Sequence, residues 1–292
     1  MLKRLHFSKE AIKMEMREHK SSFLVYIILR ALVILMMILQ ILNKNYENVF
    51  LCLLTLVLLI VPSMIQVEFK IELPTTLEII ILVFIFSAEI LGEIQSFYIV
   101  FPAWDTILHT LNGFLAAAIG FSLVDILNNN KRLQFKMSPI FMALVAFCFS
   151  MTIGVLWEFF EFGMDNIVGT DMQKDTIVQS ITSVALDPTN SNRPITINGI
   201  HDVIINEKAL GLGGYLDIGL IDTMEDLIVN FVGAAVFSIF GYFYVKKRGK
   251  GTFVKRFIPK PKDRKKDYLK NLQNEDKMKS LERDKEIPQK IG

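Results

Sequence analysis

An all-α bundle that crosses a membrane about six times is the fold class the sequence predicts, on three observations. Of the 292 residues, 52% are hydrophobic and the mean hydropathy is +0.40, too apolar for a soluble domain of this length. Several apolar runs approach or exceed the ~18 to 20 residues an α-helix needs to cross a hydrocarbon core of ~30 Å. These runs are continuously apolar, with no period-two alternation, which argues against a β-barrel. The net charge of +2 decides little, because the charges are segregated along the chain. Cys52 and Cys148 both fall inside apolar runs, where a small core residue is expected and a disulfide is not.

Residues 1–21 are polar and basic, and the spacing of Phe7, Ile12 and Met16 fits a short amphipathic helix, either on the membrane surface or solvated. No cleavable leader is expected, because the run that follows is long enough to be a permanent anchor. The first span covers about 22–42 and contains Arg30, which is expected to snorkel or to make a structural pair with an acid such as Glu89. A polar turn leads to the second span, about 49–66, with Pro62 near its end. After Pro74, Thr75 and Thr76 cap a third span of about 76–97, which carries Glu89 and Glu93. The aromatic loop Tyr98 to Trp104 reads as an interfacial anchor.

The fourth span, about 104–128, opens with Asp105 and His109 and continues with Gly113, Ala116, Ala117 and Gly120, small residues that permit close packing in lipid. A basic loop, 129–138, leads to the fifth span, about 139–162, which ends in Trp157, Glu158 and Glu161. Residues 163–220 form one long, largely acidic loop, in which Gly211 to Gly214 reads as a flexible stretch. The sixth span, about 221–245, starts with Asp222 and Asp226. Residues 246–292 form a Lys-rich tail, expected to be disordered or loosely helical and to meet anionic lipid headgroups; nucleic acid is not an expected partner.

Basic residues collect in the N-terminal segment, the 129–138 loop and the tail. With six spans these fall on one side, the cytoplasm by the positive-inside rule, and the acidic loop is outside. That orientation carries a consequence for the acids. Spans three and five end outside, and spans four and six begin there, so Glu158, His109 and Asp226 each lie roughly 5 to 8 Å below the outer edge at 1.5 Å rise per residue. Asp105/His109 and Asp222/Asp226 are four apart and Glu158/Glu161 three apart, so each pair shares one helical face. Helices that present such pairs inward are how bundles build carboxylate–histidine metal sites. The candidate metal ligands are therefore Asp105, His109, Glu158, Glu161, Asp222 and Asp226, with Glu158 and Glu161 also the candidate catalytic bases. One imidazole among carboxylates suits Zn²⁺, Mn²⁺, Fe²⁺ or Mg²⁺.

Three motifs carry a resemblance: Phe101-Pro102-Ala103-Trp104-Asp105-Thr106-Ile107-Leu108-His109 with Gly113; Leu156-Trp157-Glu158-Phe159-Phe160-Glu161; and Gly219-Leu220-Ile221-Asp222-Thr223-Met224-Glu225-Asp226-Leu227 with Gly233-Ala234. In this order they resemble the YjdF-like bacterial inner-membrane proteins, a family with a domain of unknown function, over about residues 49–245. The resemblance implies a multi-pass protein of the bacterial plasma membrane and supplies no reaction. The third motif is also loosely similar to the end of the VanZ-like membrane proteins. In the family the position of Glu225 is often aromatic, so no role is carried onto Glu225.

Three readings of the acid cluster compete. A bound cation would make the protein a metal-dependent hydrolase of a lipid-linked or envelope substrate, with the external loop as a lid. Intramembrane acids also serve transporters, but no broken helix or inverted repeat is visible. A structural or lipid-binding protein with a buried polar network and no catalysis is the third reading. Convergence of the six side chains within ~5 Å of a common point favours the cation, and divergence toward separate partners excludes it.

Overall fold

Apolar runs become helices here because a bilayer leaves backbone groups no other partner. The computed structural model describes residues 2–128, 136–247, 249 and 251–286. Lys131, Arg132, Arg248, Lys250 and the chain beyond 286 lie outside them. The helices are α1 (Leu2–Met16), α2 (Lys20–Leu42), α3 (Tyr46–Leu58), α4 (Val61–Glu68), α5 (Thr75–Phe86), α6 (Phe97–Val100), α7 (Trp104–Asn128), α8 (Pro139–Gly163), α9 (Leu220–Lys246) and α10 (Tyr268–Glu286).

Among the described residues, five stretches are long and apolar enough to span a membrane: Lys20–Leu42, Tyr46–Glu68, Trp104–Asn128, Pro139–Val168 and Leu220–Lys246. The second is interrupted at Leu59 and Ile60, because Pro62 cannot continue the ladder of α3 and instead sits in the first turn of α4. The segment expected as the third span is built differently from the rest. Helix α5 runs on into an eight-residue π-helix, Ser87–Ile94, that carries Glu89 and Glu93. Arg30 donates from Nη1 to the Tyr26 hydroxyl at 2.6 Å, a structural contact within its own helix.

Two apolar cores result. One joins α2, α3, α5 and the π segment through Tyr26, Leu29, Val33, Cys52, Leu59, Leu82 and Ile90. The other fills α7, α8 and α9 around Phe121 and Phe237, both fully buried.

The C-terminal tail is helical at α10, one of the two forms expected of it, and before α10 it is packed on the bundle. Val254, Phe257 and Ile258 are buried in the second core beside Leu73 and Leu77. Strands β1 (Ile71–Glu72) and β8 (Lys260–Pro261) pair antiparallel, so the α4–α5 connection and the tail share one end of the bundle. Lys262 makes a buried ion pair with Glu15 at the end of α1, and Lys266 bridges Glu18 and Glu72 at 2.9 and 3.0 Å. Three apolar residues and two paired lysines therefore hold a Lys-rich segment to the protein. Phe257→Ala is expected to lower stability by about 3 kcal/mol, the usual cost of emptying a buried phenylalanine site, read as a fall in thermal midpoint in detergent.

The long loop carries short strands. It holds β2 (Ile177–Val178), β3 (Ser180–Ser183), β4 (Ile195–Asn198), β5 (Ile204–Ile205), β6 (Lys208–Ala209) and β7 (Tyr215–Leu216). These pair antiparallel as β2 with β7, β3 with β4 and β5 with β6. Gly211 and Gly213 occupy left-handed turns, which glycine adopts at little steric cost, and Gly214 packs on Ile177 and Val178.

The β3–β4 connection is tied by Asp187. Its carboxylate accepts from the Thr189 hydroxyl and amide at 2.6 and 2.9 Å, and from the amides of Ser191 and Arg193 at 2.9 and 3.3 Å. The two bonds from Thr189 lead these in holding the carboxyl down at about 2, against an ordinary 3.8. A depressed folded-state value means that this stabilisation is complete above the ordinary value and is lost as pH falls toward about 2. Amide exchange at Thr189, Ser191 and Arg193 is expected to stay protected from neutral pH down to about 4. Asp187→Asn is expected to lose that protection already at neutral pH.

Candidate metal centre

The acids meet because three helices touch one turn beneath them. Gly113 of α7 lies against the Asn230 backbone of α9, and Gly233 of α9 lies against the Thr110 carbonyl of α7; a Cβ at either position would overlap backbone. Gly154 of α8 faces the Asn230 side chain. Asn112 donates from Nδ2 to Asn230 Oδ1 at 3.4 Å, and the Ser150 hydroxyl donates to the Gly113 carbonyl at 2.7 Å. Small residues and interhelical hydrogen bonds are what hold helices together in lipid, where burial of apolar surface gives no gain. His109, Glu158 and Asp226 each stand four residues, one turn, from Gly113, Gly154 and Asn230. Residues four apart share a face, so all three point into the same junction.

His109 is the centre of the arrangement, with its side chain 11% exposed. Its Nε2 lies 3.5 Å from Asp105 Oδ1 and 3.6 Å from Asp226 Oδ2. Its Nδ1 faces Glu158 Oε1 at 4.0 Å. Ligand atoms of Asp105, His109 and Asp226 all lie within 4.8 Å of one another, and so do those of Glu158, Glu161 and Asp226. Two ligands held about 2.1 Å from one ion can be at most about 4.2 Å apart, and both distances from Nε2 fall inside that limit. The carboxylate facing Nδ1 stands on the side where a metal-bound histidine usually has its outer partner, at 4.0 Å and so without a hydrogen bond.

Glu158, Glu161 and Asp226 are buried. Trp157 donates from Nε1 to Glu161 Oε1 at 2.8 Å. Glu158 Oε2 and Glu161 Oε2 are buried and have no hydrogen-bond partner among the described residues. An unmade bond on a buried carboxylate is costly, and a cation is one group that satisfies it.

Five of the six sequence-predicted ligands thus come together, with Asp226 shared by both groups. Asp222 does not join either. Its Oδ2 accepts from the Lys174 amide at 2.9 Å, and it serves to pin the long loop to the start of α9. Glu89 and Glu93 also stay outside both groups.

The same end of α9 is stitched to the loop by residues the sequence reading did not single out for this role. Asp165 accepts from the Thr170 hydroxyl and from the amides of Met172 and Gln173. Gln173 donates from Nε2 to the Thr223 hydroxyl at 2.5 Å, and Asp217 accepts from the amides of Thr176 and Ile221. The Trp157–Glu161 bond had a visible signal, since its four-residue spacing is that of helical neighbours. The Asp165 bonds had none, because they depend on where the loop returns.

A family of predicted membrane proteins, DUF2238, matches residues 24–247. The chain belongs to that family. Its match runs from within α2 to the end of α9, and includes the long loop and all five converging side chains. It is the uncharacterised membrane family to which the three motifs pointed; the likeness to VanZ-like proteins gains no support from it. No curated protein and no solved structure matches the chain. The family description places the DUF2238 chain in a membrane, as its apolar helices do.

Proposed function

We propose that the acid end of the bundle is a divalent-cation centre and that the protein is a metal-dependent hydrolase acting on a lipid-linked or envelope substrate. In this reading α5 and its π segment make the sixth crossing, the termini lie in the cytoplasm and the centre faces outward from the bacterial plasma membrane. One observation carries it: His109 offers Nε2 to two carboxylates from different helices while a third carboxylate stands opposite Nδ1. Asp105, His109 and Asp226 hold the ion. Zn²⁺, Mn²⁺, Fe²⁺ and Mg²⁺ fit a set with one imidazole, the harder ions better as carboxylates dominate.

The ion supplies Lewis-acid polarisation of a phosphoryl or carbonyl oxygen and acidifies a bound water. Glu161, steadied on one oxygen by Trp157 with the other oxygen unpartnered, would be the general base, and Glu158 would be the neighbour of His109 on its Nδ1 side. The ordered loop, fixed through Asp217 and Gln173, walls the site from above. Transport is less well supported, because α7 and α9 meet backbone to backbone at Gly113 and Gly233 just beneath the acids. A purely structural network remains the competing reading, favoured by the internal partners of Glu161 and Asp222.

Metal content decides between them. Protein purified in detergent is expected to carry or take up close to one equivalent of divalent metal by elemental mass spectrometry, and His109→Ala to lose it. A folded wild-type protein that neither carries metal nor binds Mn²⁺ or Zn²⁺ on titration overturns the proposal.

A further inference from the structure

At the opposite end of the bundle the tail leaves a groove of about 310 Å³ beside the last turns of α9. Phe240, Phe243 and Tyr244 form one wall, Phe253 and Val254 the other, and Lys247 stands at the rim. Phe240 and Phe253 meet edge to face across it, with ring centroids 5.3 Å apart. The three phenylalanines are nonetheless 43%, 48% and 47% exposed, so the groove is apolar and open.

Its depth in the membrane follows from helix geometry. Lys246 is twenty residues beyond Asp226 on α9, a rise of roughly 30 Å, which is one hydrocarbon thickness. With the acids near one surface, Lys247 lies at the headgroup level of the other. The segment around it is densely basic: Lys246, Lys247, Arg248, Lys250, Lys255 and Arg256 stand without an acid from 246 to 256. Lys246 is turned away over the Tyr242 ring, at 5.4 Å from its centroid, which leaves Lys247 as the described cation at the groove mouth.

We infer that this groove is a binding site for an anionic phospholipid of the leaflet on the side of the termini. An acyl chain lies along Phe240, Phe243 and Phe253, and the phosphate meets Lys247. Charge complementarity and position select this occupant: an aromatic slot at the membrane edge takes a chain, and a basic rim takes an anionic rather than a zwitterionic head. The site is independent of the metal centre and stands whether or not that centre binds an ion.

Native mass spectrometry of the full-length protein tests it, with phosphatidylglycerol and phosphatidylcholine of identical chains offered in competition. The expected result is one preferentially retained phosphatidylglycerol, with Lys247→Glu weakening its retention roughly tenfold. Phe243→Ala is expected to reduce retention of both lipids, and Lys260→Glu, an exposed tail charge away from the groove, to change neither. Thermal midpoints of the variants establish that they are folded. Equal retention of the two lipids, or retention unchanged in folded Lys247→Glu, overturns the inference.

Discussion

Asp226→Asn is expected to lower divalent-cation affinity by about 100-fold or more, since even outer partners of metal ligands are worth 10- to 100-fold. Asp226 is the one side chain common to both groups of ligand atoms, is 4% exposed, and stands 3.6 Å from His109 Nε2. Asparagine keeps its shape and removes its charge, so the effect is electrostatic and not a packing loss. The sign of the accompanying stability change separates the competing readings. Metal-free wild type crowds several carboxylates around one imidazole, so they cannot all ionise, and an amide in place of the Asp226 carboxyl adds no repulsion. The metal-free variant is thus expected to melt no lower than wild type. Added metal at about 100 times the wild-type dissociation constant stabilises wild type by about 2.7 kcal/mol and is expected to stabilise the variant by no more than about 0.4 kcal/mol. Thermal unfolding with and without Mn²⁺ checks both halves. If the acids were only a structural network, metal would leave both proteins unchanged.

The second large effect is expected at Gly233. Replacement by leucine forces a side chain into the Thr110 carbonyl, which belongs to the α7 backbone and cannot turn aside as a side chain would. Overpacking of this kind costs about 1 to 3 kcal/mol, and the upper end is expected because backbone must move. Moving α9 away from α7 also separates Asp226 from His109, so metal affinity is expected to fall with stability. Gly163, at the end of α8, is the control. A Cβ there meets nothing within 4 Å, and the position is helical. Gly163→Ala is expected to be neutral or to raise stability by up to about 1 kcal/mol through the unfolded chain. Equal behaviour of Gly233→Leu and Gly163→Ala in thermal unfolding would contradict the packing account.

The contrast between these glycines shows where the sequence was informative. Spacing along a helix is local, and the four-residue interval of Asp105/His109 and the three-residue interval of Glu158/Glu161 placed each pair on one face before any packing was known. Charge segregation then brought the helix ends to one level, which is why Asp105, His109, Glu158, Glu161 and Asp226 were legible as a set. Asp222 shares the face of Asp226 by spacing, yet its partner is the Lys174 amide, brought there by a loop whose return path no local pattern encodes.

Similar reasons account for the tail and the loop. Val254, Phe257 and Ile258 are few among lysines, so composition over that stretch reads as solvated, whereas the core they enter is formed by residues far earlier, Leu73 and Leu77. The loop strands are two to four residues long, too short for alternation to register. Asp187, by contrast, opens a stretch with Pro188, Asn190 and Asn192, residue types that favour turns, and both asparagines adopt left-handed backbone. The π-helical segment carrying Glu89 and Glu93 had no such signal, since its composition is that of an ordinary span.

The central claim is that His109 and its neighbouring carboxylates hold one metal ion, and X-ray absorption at the edge of the bound metal tests it most directly. Wild type is expected to show a coordination shell of oxygen with a single imidazole nitrogen, the nitrogen signal disappearing in His109→Ala. A metal shell without imidazole in the wild-type protein, or one unchanged by His109→Ala, would place the ion elsewhere and contradict it.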